Sequence, residues 1–373
     1  MNCKDFISEQ TQFYQLSLPF HLELGGELTG VQIAYRTWGQ LNAARNNAVL
    51  VCHALTGSAD VDVWWMPLLG SGKALDPNRD FIICSNILGS CYGTTGPTSI
   101  NPETGIVYGA SFPSITIGDM VRLQNVLLEM LGIQSLQLVI GGSLGGMQVL
   151  EWALLYPEKV KAIAPIATSG RQSAWCIGLS EAQRQAIYSD SQWQGGNYPV
   201  EEQPTQGLTA ARMIAMSTYR SWRSFAVRFG RTYQSESPRQ QFAITTYLQY
   251  QGKKLVKRFD ANTYITLTHA MDCHDVARHG QDYESVLQSI LQPSLVVGIP
   301  SDLLYPSTEQ QELADLIPNA QQAWLESIHG HDSFLIDMAA LNDLIVSFRN
   351  NLLSFDRSDF REFDKQNYLV ASF

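Results

Sequence analysis

The stretch Leu136-Gln137-Leu138-Val139-Ile140-Gly141-Gly142-Ser143-Leu144-Gly145-Gly146-Met147-Gln148 restricts what this chain can fold into more than any other. An apolar run of strand character ends in Gly-x-Ser-x-Gly, and helix-forming residues follow at once. Such a segment reads as a buried β-strand, a sharp turn and the start of a helix. In that setting Ser143 projects from the bend as a nucleophile rather than lying as a surface hydroxyl. Gly141 and Gly145 leave out side chains that would collide there. The backbone N–H of Leu144, at the helix N-terminus, can face an oxyanion.

The rest of the chain supplies the sheet that such a turn needs. Residues 47–52, 81–87, 136–140, 161–168, 294–299 and 322–326 are short apolar runs, most of them β-branched, as strands buried on both faces are. Helical spacing falls between several of them. Met120, Leu123, Leu127 and Leu131 mark a helix over 116–131, and another over 147–156 is stopped by Pro157. Strands alternating with helices give a mostly parallel, right-handed α/β sheet flanked by helices. Ahead of it, 20–24 and 31–35 around Gly25-Gly26 read as an antiparallel opening pair. One interval breaks the rhythm. Between Thr168 and Ser294 about 125 residues contain no convincing buried strand, whereas a βαβ crossover needs only about 30. The stretches 180–188, 207–229, 237–250 and 261–275 are helix-compatible and rich in Met, Tyr, Trp and Arg. The expected organisation is a core of residues 1–171 and 291–373 with a helical lid, 172–290, inserted over the catalytic turn.

Charge and cysteine usage exclude several functions. A formal net charge of −10 argues against general binding of nucleic acid or a membrane surface. No apolar run reaches the roughly 18 residues of a membrane span. Residues 1–6 lack the basic-then-apolar pattern of a secretory signal. The cysteines at 3, 52, 84, 91, 176 and 273 form no Cys-x-x-Cys pair or disulfide framework, so reduced thiols and a cytoplasmic location are expected.

The partners of Ser143 should follow it, acid then histidine, in loops after later strands. The run Leu295-Val296-Val297-Gly298-Ile299 leads into Pro300-Ser301-Asp302, which favours Asp302 over Asp315, inside a helical stretch, and Asp282, ahead of the strand. The next strand leads to Ser327-Ile328-His329-Gly330-His331-Asp332. Both histidines stand where the base belongs. His331 is favoured because it follows a glycine and opens the next helix-like segment. A second oxyanion donor should come from the loop after an early strand, His53-Ala54-Leu55-Thr56-Gly57, as the N–H of Leu55. His53, ahead of the turn, reads as structural. His269, His274 and His279 recur every five residues, which on a helix sets them about 140° apart and off one face. No metal site is therefore expected. Gly70-Ser71-Gly72-Lys73 fails as a phosphate loop. Lys253, Lys254, Lys257 and Arg258 form a basic cluster that reads as a solvated face able to help a phosphate-bearing ligand approach.

Several longer motifs carry a resemblance. His53-Ala54-Leu55-Thr56-Gly57, Gly96-Pro97-Thr98-Ser99-Ile100-Asn101-Pro102, the Gly141–Met147 turn, Ala210-Ala211-Arg212-Met213, Thr218-Tyr219-Arg220-Ser221, Arg258-Phe259-Asp260-Ala261-Asn262 and Gly330-His331-Asp332 together resemble the homoserine O-acetyltransferases of the α/β-hydrolase superfamily. The resemblance runs from about residue 15 to 350 and departs at Ser90, where the family commonly has glycine. It implies an α/β-hydrolase fold with an inserted helical lid. It further implies ping-pong transfer of an acetyl group from acetyl-CoA, a substrate rather than a cofactor, to the side-chain hydroxyl of L-homoserine in methionine biosynthesis. A cytoplasmic homodimer held through the lid helices is implied as well. By family correspondence Arg212 holds the acceptor carboxylate with Tyr219 beside it, and Asp332 holds its ammonium. An arginine fork suits a carboxylate because it binds with two parallel hydrogen bonds. Succinyl-CoA as donor, serine as acceptor, and plain esterase or thioesterase chemistry on the same triad remain the alternatives.

Overall fold

The computed structural model describes residues 6–234 and 241–354. Cys3 and most of the segment read for a signal lie outside the described residues. So do the head of the expected helical stretch 237–250 and the last part of the second core segment.

The strands, in chain order, are β1 (Gln12–Gln15), β2 (Phe20–His21), β3 (Glu27–Leu28), β4 (Gln32–Trp38), β5 (Ala48–Cys52), β6 (Phe81–Ser85), β7 (Leu136–Gly142), β8 (Ile163–Ile166), β9 (Ser294–Gly298) and β10 (Ala320–Trp324). Eight of them form one sheet in the order β1-β4-β6-β5-β7-β8-β9-β10. Every pairing from β6 to β10 is parallel, and β4 is antiparallel to both of its neighbours. The near-continuous apolar strands serve two cores. In β5, Val49 and Val51 face one cluster, with Leu341, Ile345 and Phe348, while Leu50 and Cys52 face the other, with Met120, Leu123 and Leu127. A strand covered on both sides has no polar face to show, so its sequence does not alternate.

The helices of the core are α1 (Val61–Trp64), α2 (Ile117–Met130), α3 (Leu144–Leu155) and, after the lid, α10 (Ser307–Leu316) and α11 (Met338–Ser354). Thr116 starts α2 through a reciprocal cap: Asp119 N–H donates to Thr116 Oγ1 (3.1 Å) and Thr116 N–H to Asp119 Oδ2 (2.9 Å). Between β8 and β9 stand α4 (Ala174–Tyr188), α5 (Thr205–Tyr219), α6 (Trp222–Phe229), α7 (Ala243–Val256), α8 (Ala261–Asp272) and α9 (Tyr283–Gln288). Helix α5 packs on α4 and α7, and α4 packs on α8. No described helix is long and apolar enough to cross a membrane.

Two expectations change. The opening strands do not pair with each other as 20–24 and 31–35. Gly25 and Gly26, at φ +94° and +82°, turn the chain so tightly that Phe20–His21 pairs only with Glu27–Leu28. The outer partner of β4 is β1, an exposed edge strand of sequence Gln-Phe-Tyr-Gln whose polarity hides it from a hydrophobic pattern. The stretch 207–229 is two helices rather than one. Ser221 ends the first run by capping the second, its Oγ accepting from Ser224 N–H at 2.9 Å.

Candidate active site

Ser143 links β7 to α3 with φ 59° and ψ −126°, a conformation that L-residues other than glycine rarely adopt. Three bonds hold it there. Its N–H donates to Ile166 O on β8 (2.9 Å), and its carbonyl accepts from Met147 N–H (3.1 Å) and Thr168 Oγ1 (3.0 Å). The flanking glycines are required by the crossing of β5: a Cβ at Gly145 would lie 2.2 Å from the Cys52 carbonyl oxygen, and one at Gly141 2.5 Å from it. Strained backbone of this kind persists only where its surroundings over-determine it, and it concentrates at functional sites. The N–H of Leu144 belongs to the first turn of α3, where no acceptor within the helix exists for it.

Asp302 and His331 meet at the ends of β9 and β10. The Asp302 carboxylate is buried, with Oδ1 accepting from the N–H groups of Leu304 (2.8 Å) and Tyr305 (3.0 Å). Its Oδ2 accepts from His331 Nδ1 at 2.7 Å. That bond fixes the proton on Nδ1 and leaves the lone pair on Nε2. The imidazole is buried among Tyr305, Phe334 and Tyr219, with ring centres 5.3, 5.6 and 5.8 Å away. Burial disfavours the imidazolium, but Asp302, and secondarily Asp332, outweigh it and raise the pKa above the usual histidine value. Phe334 also packs against Gly142, where a Cβ would come within 2.7 Å of its ring, so one side chain spans from the Ser143 turn to the imidazole.

His329 is occupied elsewhere. Its Nδ1 lies 3.2 Å from Ser224 Oγ and 3.4 Å from Arg220 Nη2, both in the lid. Asp282 caps α9, and Asp315 accepts from Gln311 on α10. The loop bearing Leu55 follows β5, next to β7 in the sheet. His53 anchors it: its Nδ1 donates to Ala54 O (2.9 Å), and Nε2 accepts from Ile87 N–H (3.2 Å). Burial pushes this ring's pKa down to about 4, consistent with a neutral strut.

The three residues suggested for an amino-acid acceptor gather at the same imidazole. Tyr219, the last residue of α5, packs on His331, and the Arg212 guanidinium sits 5.2 Å from the Tyr219 ring centre. Asp332 follows His331 directly. Burial raises its carboxyl pKa, while Arg212, His331 and Arg220 pull it back. Arg212 and Tyr219 are half-buried rather than spread on a helix surface. The aromatic walls Tyr305 and Phe334 were not singled out in the sequence. Each stands three residues after a member of the Asp–His pair, and that spacing is the available signal. The basic cluster divides: Lys253, Lys254 and Lys257 are exposed, whereas Arg258 turns inward to Thr56 and Tyr92. His269 and His279 are exposed and His274 is buried, and no group of three or more possible metal ligands occurs among the described residues.

Comparison with known proteins identifies the family that carries this fold. Residues 47–337 match the model of the α/β hydrolase fold family. The chain is 72% identical over 352 residues to a homoserine O-acetyltransferase of Trichormus variabilis, covering 94% of this chain and 97% of that one. The crystal structure of homoserine O-acetyltransferase from Bacillus anthracis superposes with a TM-score of 0.83 at 29% identity, covering 91% of this chain and 97% of the other. The acetyl esterase MekB superposes with a TM-score of 0.80 at 28% identity, covering 92% and 96%. A strained serine turn, a buried Asp–His pair and near-complete coverage at such identity lead to one assignment: the chain belongs to the homoserine O-acetyltransferases of the α/β hydrolase fold.

Proposed function

We propose that the protein transfers the acetyl group of acetyl-CoA to the side-chain hydroxyl of L-homoserine through an acyl-enzyme on Ser143. His331 Nε2 takes the Ser143 proton as Oγ attacks the thioester carbonyl. Asp302 keeps the imidazole in the required tautomer and stabilises the imidazolium. The N–H groups of Leu55 and Leu144 hold the tetrahedral oxyanion, a contribution of about 3 kcal/mol per donor. The C–S bond breaks, and coenzyme A leaves with the proton from His331. The homoserine hydroxyl then gives its proton to His331 and attacks the acetyl-serine ester, releasing O-acetylhomoserine and restoring Ser143. Arg212 pairs with the acceptor carboxylate, Tyr219 lines that site, and Asp332 pairs with the ammonium.

The observation that carries this reading is the grouping of Arg212 and Asp332 about Tyr219, the ring that packs on the imidazole bonded to Asp302. A simple hydrolase needs the triad but no paired cation and anion beside it. The likeness to the acetyl esterase MekB keeps that second reading in view. Acetyl-CoA and succinyl-CoA crossed with homoserine and serine, following thiol release, separate the alternatives. Thiol release should be fastest with acetyl-CoA and homoserine. Steady release that no amino acid stimulates would favour an esterase.

A homodimer through the lid fits this reading. Helices α6 and α7 leave Trp222, Val227 and Tyr250 exposed, an apolar surface that a second copy would cover. The described cysteines form no disulfide, which suits a reducing cytoplasm.

A further inference from the structure

The loop bearing Leu55 is fastened at one end by the core and at the other by the lid. At the core end, His53 bonds its neighbours through both ring nitrogens, and Gln148 Nε2 donates to His53 O (3.3 Å). Gly57 N–H closes the turn onto Ala54 O at 2.8 Å. At the other end the partner is Arg258, in the link from α7 to α8. Its Nη1 donates to Thr56 O (2.7 Å) and to Tyr92 Oη (2.5 Å), and its Nη2 lies 3.4 Å from Thr56 Oγ1. The link itself is well anchored. Phe259 is fully buried between Tyr92 and Tyr264, with ring centres at 5.9 and 6.2 Å, and Asp260 caps α8 by accepting from Thr263 N–H at 2.8 Å. The guanidinium thus reaches from a fixed point of the lid to the peptide carbonyl one residue beyond Leu55.

We propose that Arg258 is a positioning residue for acyl transfer: it holds the Leu55–Thr56 backbone in register, so that the oxyanion donor is in place only when the lid is seated. This rests on the reading of the Leu55 N–H as an oxyanion donor. An arginine suits the task because two nitrogens of one rigid fork grip two oxygens of one residue. The oxyanion forms in both half-reactions, so loosening the loop slows both. The acceptor residues Arg212, Tyr219 and Asp332 are untouched, so acceptor affinity holds.

The test is pre-steady-state thiol release from acetyl-CoA, together with homoserine kinetics, for the full chain and for Arg258→Ala, Arg258→Lys and Tyr92→Phe. A misplacement of the donor by about 1 Å predicts a fall of about 10- to 100-fold in both the acylation rate and kcat for Arg258→Ala. The homoserine KM should stay within about threefold of the unaltered protein. Arg258→Lys should recover part of the loss, because an ammonium replaces one of the two contacts. Tyr92→Phe, which removes a support of the guanidinium while leaving Arg258 in place, should lower the acylation rate by a smaller factor, and it carries the test if Arg258→Ala does not fold. An unchanged acylation rate in Arg258→Ala, or in Tyr92→Phe and Arg258→Lys together, overturns the proposal. So does a raised homoserine KM with a normal acylation rate, which would move Arg258 to the acceptor site. If the unaltered protein itself releases no thiol from acetyl-CoA alone, the acyl-enzyme reading fails and the proposal goes with it.

Discussion

At the scale of single residues, the argument turns on one imidazole and the groups around it. Ser143→Ala should lower acyl transfer by about 10⁴-fold or more, with the fold retained, because alanine fits the same turn. His331→Ala should be nearly as severe, while His329→Ala costs far less because that ring serves the lid contact with Ser224. The charge of Asp302 lifts the pKa of His331 above its ordinary 6.5. As the proposed base, His331 works only when neutral, so kcat/KM should fall as pH drops through that raised value. Asp302→Asn removes the main cause of the rise, so the acid limb of the pH–rate profile should move to lower pH on a plateau reduced about 10³- to 10⁴-fold. A limb that stays in place would mean that Asp302 does not set the pKa of the base. Arg212 is proposed to touch the acceptor alone. Arg212→Ala should cost about 2–3 kcal/mol, roughly 30- to 150-fold in kcat/KM for homoserine, with thiol release from acetyl-CoA in the absence of acceptor preserved. Loss of that release with homoserine saturation unchanged would remove Arg212 from the acceptor site.

At the scale of elements, the strand–turn–helix around Ser143 is rigid because backbone crosses backbone. Gly145→Ala would press a methyl group against the Cys52 carbonyl oxygen, which lies 2.2 Å from the ideal Cβ position and belongs to a buried strand unable to yield. A loss of about 3 kcal/mol in urea unfolding is expected, together with loss of activity. Near-normal stability would mean that β5 and α3 can move apart. This unit was legible in the sequence because its signals are local: an apolar run, glycines at fixed offsets, and a helix with no polar face. The inner strands and most lid helices were legible for the same reason. The opening edge was not, since β1 shows water a polar sequence and gains its place only from β4, some 20 residues on. The break at Ser221 was missed because one hydroxyl cap outweighs helix propensity on both sides. Of the candidate site, the pairing of Asp302 with His331 was legible from their order and loop positions. The inward turn of Arg258 depends on contacts about 200 residues apart, which no local pattern records.

At the scale of the whole molecule, a buried charge network ties the opening segment, the core and the lid's return together. Arg278, just before α9, donates from Nη1 and Nη2 to the two Glu151 oxygens on α3 (2.6 and 3.0 Å) and from Nε to Glu23 (2.5 Å); Arg122 on α2 reaches the same Glu23 at 2.8 Å. Glu151 is 1% exposed, and its burial raises its pKa against the pull of Arg278. Arg278→Ala should therefore cost about 3–5 kcal/mol, because it strands a buried carboxylate, and Glu151→Gln added to it should restore part of the loss. Urea unfolding of the two variants checks this, and equal stability of Arg278→Ala and the unaltered protein would refute it. The same helix α3 begins at the Ser143 turn, so the network braces the frame of the proposed acyl transfer. That chemistry has a direct measurement: mix the protein with acetyl-CoA, omit any acceptor, count the thiol released, and locate the acetyl group by peptide mass spectrometry. The account predicts a burst of about one thiol per active site, slow release afterwards, and acetylation of the peptide that contains Ser143. Thiol that appears only after homoserine is added, or a burst that survives Ser143→Ala, would contradict it.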